Sequence, residues 1–330
     1  MYKIAQLPDK ERRELFSETA SKIHTKNAIV EKDFWVVWVL GKLFSHEKLS
    51  KILMFKGGTS LSKVYGLIER FSEDIDLILN WKLLTDEDPC AKRSKTQQNI
   101  FNVSINEEAK IYIKDVLLPV ISEVLKPQCG CKIKEEDGFS IEIQYPALFS
   151  DSSILPHILL EIGPLALWLP SGDFEITPFA AKEFPHLFGT PFCPVKAVFA
   201  ERTFWEKVTI LHQQANRSEN KLIPLRYSRH YYDLAMMAKA DVKTKALADM
   251  ELLKSVIEFK QKFYTCNWAK YEEAVPGTLR LIPPEYRYKE LKEDYKAMQS
   301  MIFGTIASFD EILVILKNLE TEINSLKFNG

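Results

Sequence analysis

Cysteine is scarce in this chain: five residues, Cys90, Cys129, Cys131, Cys193 and Cys266. Their odd number, the absence of any C-x-x-C pair and of a secretory leader lead us to expect a reducing, cytoplasmic compartment. Cys129-Gly130-Cys131 lacks two further ligands at zinc spacing, which argues against a zinc site. Long hydrophobic runs are also missing. The most apolar stretch near the N-terminus, Phe34 to Leu40, falls far short of the ~20 residues that span a bilayer. It is flanked by Lys32, Asp33 and Lys42, and no membrane segment is expected. Nor does one sign of charge dominate, since the net charge is −1. That argues against a protein that coats long nucleic acid and leaves room for one that grips an end through a local basic patch. G-x-S-x-G and G-x-x-x-x-G-K-[ST] are absent, so a hydrolase elbow and a P-loop are set aside. His24, His46 and His186 fit no ligand or triad spacing. We find no internal repeat, low-complexity tract or heptad.

What is present suits a globular protein. An apolar fraction of 46% over 330 residues supports a sizeable core and suggests two domains. Helices are expected from Pro8-Asp9 to about Lys22 and from about Val30 to Phe44, the second with Val30, Phe34, Val37, Trp38 and Gly41 as a buried stripe. Ile52 to Phe55 reads as a buried strand that enters a turn at Lys56-Gly57-Gly58. A helix follows from Thr59, with Leu61, Val64, Tyr65 and Ile68 on one face, and Asp74 to Leu79 alternates as a strand. Residues 85–106 read as a polar loop or insertion, ahead of a helix from about Glu107 to Leu125. Strands are expected at Lys132–Lys134, Ser140–Tyr145 and His157–Ile162, with turns and short strands over 163–194. Beyond Pro194 the pattern becomes helical, near 195–214, 226–240, 243–264, 285–301 and 308–326. The domains are therefore expected at 1–192 and 193–330.

Two features between residues 55 and 77 carry chemistry. Glycines at 57 and 58 let backbone N–H groups approach phosphate oxygens, and the start of the next helix adds unpaired donors. Thr59, Ser60 and Lys63 would add hydroxyls and a positive charge. Gly-Gly alone is equally compatible with a plain tight turn. Asp74 and Asp76, two apart on a strand, share one face while Ile75 and Leu77 enter the core. Like charges so close need a cation between them, and Mg²⁺ takes one or two carboxylates plus substrate phosphate oxygens. The bland alternative is a half-exposed strand with a polar face.

Glu161 lies within Ile158-Leu159-Leu160-Glu161-Ile162, where an ionised carboxylate is costly without a partner. It is therefore a candidate third metal ligand, or else it lies on the solvent face with His157. After Pro194, Glu201, Arg202, Glu206 and Lys207 sit in an otherwise apolar helix. Arg202 and Glu206 have i, i+4 spacing for an internal pair. Lys207 could reach a triphosphate and offset charge on departing pyrophosphate, or belong to a structural ion-pair cluster. Arg226, Arg229, His230 and Asp233 fall at i, i+3, i+4, i+7. This stripe either contacts acceptor or phosphate, or is a solvated helix face.

These residues resemble a known family. Gly57-Gly58 followed by Asp74-Ile75-Asp76-Leu77 is similar to the signature of polymerase-β-like nucleotidyltransferases. More narrowly, five stretches resemble AbiEii-type nucleotidyltransferase toxins of type IV toxin–antitoxin systems: Glu31 to Trp35, Phe55 to Lys63, Arg70 to Leu77, Glu201 to Lys207 with Leu211-His212, and Ser228 to Leu234. They run in order from residue 31 to 234, and nothing beyond about 235 carries a resemblance. Fifteen residues separate Gly58 from Asp74, slightly more than the wider superfamily uses, which is expected to fit a longer helix.

The resemblance implies an α+β fold: a nucleotidyltransferase core whose mixed sheet is flanked by helices, plus a mainly helical C-terminal domain contributing to the active-site cleft. It implies Mg²⁺-dependent transfer of a nucleoside monophosphate from NTP, with two metal ions expected. Asp74 and Asp76 carry over as metal ligands, Gly57, Gly58, Thr59 and Ser60 as the triphosphate cradle, and Lys207 and Asp233 as an essential pair. Glu161 is placed beside them as the third metal ligand, and Lys63, Lys207 and Arg229 as nucleotide contacts. The tRNA acceptor end is the expected substrate, growth arrest the expected outcome, and a cognate antitoxin from an adjacent gene the expected partner. A monomer is expected. Two alternatives stand: nucleotidylation of a protein or small-molecule hydroxyl, and a catalytically silent binding module on the same fold.

Overall fold

The computed structural model describes residues 1–164 and 168–327. Residues 165–167, within the stretch expected to form turns and short strands, lie outside the described residues. Contacts divide the chain into two units: Met1–Tyr65 with Phe71–Val198, and Gly66–Arg70 with Phe199–Gly330.

The first unit is built on a seven-stranded mixed sheet. Its strands are β1 (Leu53–Lys56), β2 (Asp74–Leu79), β3 (Gly130–Ile133), β4 (Ser140–Gln144), β5 (Ile158–Gly163), β6 (Ser171–Ile176) and β7 (Cys193–Val198). Their spatial order is β3-β4-β5-β2-β1-β7-β6. β2–β5 and β1–β7 are parallel, and the other neighbours antiparallel. Period-2 alternation gives the sheet two unlike faces. Leu53, Phe55, Ile75, Leu77, Ile141, Ile143, Leu160, Ile162 and Val195 enter the main core with helix Asn27–Ser45. The opposite face carries Lys56, Asp74, Asp76, Glu142, Glu161 and Lys196, with a small apolar cluster of Met54, Ile78 and Val198. Fold class thus follows the expected α+β pattern, with one face given to packing and the other available for chemistry.

Three expectations of secondary structure are corrected. The helix after the glycine turn is Gly57–Lys63 and stops there, so Val64 to Glu73 are not a longer helix. Five of those residues, Gly66–Arg70, pack with the second unit instead. The polar segment ahead of Glu107 is largely helical: Lys95–Tyr112 is opened by a capping box in which Ser94 and Gln97 exchange hydrogen bonds. It runs into a π-helical turn, Ile113–Leu117, and then Leu118–Leu125. Pro119 lacks the N–H that would continue the ladder there. Finally, Cys193–Val198 is a strand, and the helix expected from 195 begins at Ala200.

The second unit is helical. Helix Ala200–Ala215 packs with Arg229–Ala238, Asp241–Ala248 and Met250–Phe263. Helix Phe309–Asn324, capped by Ser308 and Glu311, packs on Arg229–Ala238 through Tyr231 against Phe309. Tyr295 joins them from helix Tyr288–Met298.

Candidate active site

In the sheet unit, β1 delivers the chain into Gly57, whose φ is +81°. A side chain is excluded there for a second reason. A Cβ built on Gly57 would lie 1.9 Å from Asp76 Oδ2 and 2.5 Å from its Cγ. The Asp76 carboxylate occupies the space a side chain at 57 would need, so glycine allows the turn and the acid to touch.

Thr59 and Ser60 are both buried. The Thr59 hydroxyl donates to the carbonyl of Asp74, and the Ser60 hydroxyl to that of Gly57 at 2.9 Å. The Thr59 hydroxyl pins the turn to β2, and the Ser60 hydroxyl closes the turn on itself. What remains for a phosphate is the main-chain N–H of the first helical turn. Lys63 also lies elsewhere than expected. Its ammonium is buried against Asp33 and sits 3.7 Å from the Phe179 ring centroid, so it is committed to an internal pair instead of a nucleotide. Burial lowers the Lys63 pKa, and Asp33 opposes that shift.

Asp74 and Asp76 are half-buried on one face of β2. Lys56 on β1 and Glu161 on β5 stand in register with Asp76, forming a row of cation, acid and acid across three strands. Glu161 is exposed, so the burial argument that nominated it is replaced by register. Adjacent strands lie about 4.8 Å apart. Among the described residues, no three His, Cys, Asp or Glu side chains converge closely enough to hold a metal ion. The donor set nonetheless suits a hard divalent cation: carboxylate oxygens on neighbouring positions of one face, which side-chain rotation can bring together.

Behind this face, three consecutive charges of helix Asn27–Ser45 are buried. Glu31 accepts the N–H groups of Leu148 and Phe149, and Lys32 bonds Glu73 at 2.9 Å and the Leu155 carbonyl at 3.0 Å. Asp33 accepts the N–H of Phe179 at 2.7 Å while pairing with Lys63. Buried charges persist only when fully partnered. Glu73 immediately precedes Asp74, so its pair with Lys32 holds the start of the acid-bearing strand.

The helical unit carries its own charged cluster. Asp233, fully buried, accepts two bonds from Arg70, Nε at 2.6 Å and Nη2 at 2.8 Å. Lys207 Nζ lies 2.7 Å from Asp233 Oδ2 and 3.2 Å from His230 Nδ1. Burial alone would raise the Asp233 pKa, but the charges and hydrogen bonds of Arg70 and Lys207 outweigh it and hold the acid below the usual carboxylate range. Burial, then the charges of Lys207 and Arg229, push His230 well below its ordinary value, so it is a neutral acceptor for Lys207. Lys207 is lowered mainly by burial, with Asp233 opposing. Arg70 and Lys207 share the one carboxylate of Asp233, and Arg229 adds positive charge near Lys207 and His230.

Residues 38–314 match the model of a family described as nucleotidyl transferase AbiEii toxin, type IV TA system. The chain belongs to the AbiEii nucleotidyltransferase toxin family. Members of that family are nucleotidyltransferase toxins, an assignment that implies an NTP substrate and a cognate antitoxin. Among solved structures the chain is similar to MenT4, a nucleotidyltransferase toxin from Mycobacterium tuberculosis H37Rv, at 16% identity and a TM-score of 0.42. That match covers 87% of this chain and 98% of the other. No curated protein matches the chain.

In this AbiEii-family protein, Arg226, Arg229, His230 and Asp233 do not form the single helical stripe their spacing leads one to expect. The helix begins at Arg229, and Arg226 lies before it at φ +59° with its N–H on Asp294. The motifs also hold charges to which the sequence assigns no role: Glu31, Lys32, Asp33 and Glu73, described above, Arg70, which forks onto Asp233, and Lys56, which stands beside Asp76. The Arg70 partnership spans 163 positions, so no local pattern announces it. Lys56 was discoverable, because antiparallel β1 and β2 joined through the glycine turn place it opposite one of the two acids. The expected internal pair Arg202–Glu206 forms, at 3.2 Å.

Proposed function

We propose that this toxin transfers a nucleoside monophosphate from an NTP to the 3′-terminal hydroxyl of tRNA, blocking translation and growth. The observation that carries the reading is the row Lys56–Asp76–Glu161, with Asp74 on the same face and Gly57 against Asp76, in a chain of this family. Asp74, Asp76 and Glu161 are the residues that would hold Mg²⁺. The metal would supply Lewis-acid charge that lowers the acceptor hydroxyl's pKa and neutralises the phosphates. In the transfer the acceptor oxygen bonds the α-phosphorus as the bond to the bridging oxygen breaks, and pyrophosphate leaves. The glycine turn contributes main-chain donors to phosphate oxygens, and Thr59 and Ser60 keep that turn in place. Lys56 supplies a fixed cation beside Asp76. Within the helical unit, Asp233, Arg70 and His230 fix the position of Lys207, and Arg229 adds positive charge beside it.

The test is incubation of purified protein with each labelled NTP, Mg²⁺ and total tRNA. Label should enter RNA, pyrophosphate should appear, and Asp76→Asn should abolish both while leaving the melting curve unchanged. No incorporation with any of the four nucleotides overturns the reading. A near-neutral net charge of −1 favours a second one, nucleotidylation of a protein or small-molecule hydroxyl, which label on those acceptors and never on RNA would establish. Full cellular toxicity of Asp76→Asn would instead identify a non-catalytic binding module.

A further inference from the structure

A chain of net charge −1 can hold a polyanion only through a local patch. Cations of the helical unit are commonly neutralised by a carboxylate, as in Lys243–Glu322, Lys270–Glu273, Arg287–Glu290 and Lys292–Asp310. Three neighbouring cations are held differently. Arg217 donates to Gln214 Oε1 at 2.7 Å and to the Leu222 carbonyl at 2.8 Å, with its guanidinium 4.8 Å from the Trp268 ring centroid. Lys221 places its ammonium 4.7 Å from the same ring. Arg280 donates to Asn216 Oδ1 at 3.3 Å. Among the described residues the hydrogen-bond and ring partners of these three are neutral, and none of the three forms an ion pair.

The loop that carries Arg217 and Lys221 is pinned, and Arg280 reaches it through Asn216. Arg287, itself buried and paired with Glu290, donates to the carbonyls of Ser218, Glu219 and Lys221. Tyr286 lies alongside, its hydroxyl on the Arg217 carbonyl at 2.8 Å and its ring 47% exposed. One carboxylate, Glu219, shares the loop, leaving an excess of positive charge. Neutral acceptors fix a cation's direction without cancelling its charge, and that suits an anion arriving from solution.

We infer that Arg217, Lys221 and Arg280, with Tyr286, form a surface that grips the phosphodiester backbone of RNA, the cations on phosphates and the exposed ring against a base. The inference rests on the RNA-acceptor reading above and names how that acceptor is held.

The test uses the full chain, fluorescein-labelled unfractionated tRNA, and Lys221→Ala with Arg280→Ala, two exposed positions outside the acid row and the Lys207–Asp233 cluster. Binding is measured by anisotropy between 50 and 200 mM salt. Two lost phosphate contacts should make the log–log salt slope shallower by about 1.4 and weaken binding several-fold at the low-salt end. Asp76→Asn should bind tRNA like the unmodified chain, and the double variant should melt like it. An unchanged affinity and slope in the double variant, with tRNA still bound, overturns this surface and leaves the acceptor reading standing. If the unmodified chain binds no tRNA, the surface falls, and labelled transfer to a non-RNA acceptor would show that the acceptor reading falls too. Loss of binding to a protein from the same cells, with tRNA binding intact, would reassign the patch to a protein partner.

Discussion

Replacing Gly57 with alanine separates the backbone role of this residue from its contact with Asp76. At φ +81° an alanine is strained, by about 1–2 kcal/mol for left-handed backbone. That lowers melting by about 2–4 °C per kcal/mol for a unit of this size, and the chain stays folded. The contact is the larger matter. The new methyl would fall 1.9 Å from Asp76 Oδ2 and 2.9 Å from its Cβ, so the carboxylate must rotate or the turn must retreat by an ångström or more. Misplacing a reacting group by about 1 Å can cost 10²-fold in rate. We expect Gly57→Ala to lose about a hundredfold in kcat for NTP transfer. Gly277→Ala is the control: its φ is +94°, and nothing lies within 4 Å of the added Cβ. It should lose comparable stability and keep its activity. Paired thermal melts and single-turnover assays with saturating NTP make the comparison. A Gly57→Ala protein that transfers within threefold of the unmodified rate would refute the claim that Asp76 works from the position it holds against the turn.

Other consequences follow from the buried charges. Arg70→Ala strands the fully buried Asp233 with Lys207 alone and should destabilise the helical unit by about 3–5 kcal/mol, read by denaturant melts, whereas Arg70→Lys should recover part of the loss without the two-bond fork. Because His230 is held well below its ordinary pKa, the unfolded chain takes up a proton below about pH 6.5 that the folded chain refuses. Its stability should therefore fall as pH drops through that point, and His230→Gln should flatten this part of the curve. Asp233 has the opposite charge type but the same direction: with its folded pKa depressed, its contribution is present at neutral pH and lost on acidification below about pH 4, a limb that Asp233→Asn should remove. Lys63→Met, which leaves Asp33 buried without its cation, should lower the melting temperature with little change in KM for NTP; a raised KM at unchanged stability would return Lys63 to the nucleotide.

Local physics accounts for much of what could be read in advance. Strand periodicity placed Asp74 and Asp76 on one face with Ile75 and Leu77 opposite, and the structure has that alternation. The glycine turn was legible because glycine takes such backbone without the strain a Cβ brings, and helix Asn27–Ser45 because its apolar residues recur at the helical period. Boundaries were less legible. The start of helix Lys95–Tyr112 was hidden by polar composition although Ser94 and Gln97 form a capping box, and Cys193–Val198 was absorbed into a helix because a short apolar run fits either period.

The chain alone therefore determined which residue types stand at the turn and on the acid strand, since those choices follow from φ, from side-chain alternation over two residues and from the chemistry of carboxylates. Only the tertiary structure decided which charges meet. Lys63 went to Asp33, thirty positions away, Glu161 came level with Asp76 through the pairing of β2 with β5, and Arg70 forked onto Asp233. A buried charge takes whichever opposite charge folding brings within reach, and spacing along the chain carries no record of that partner.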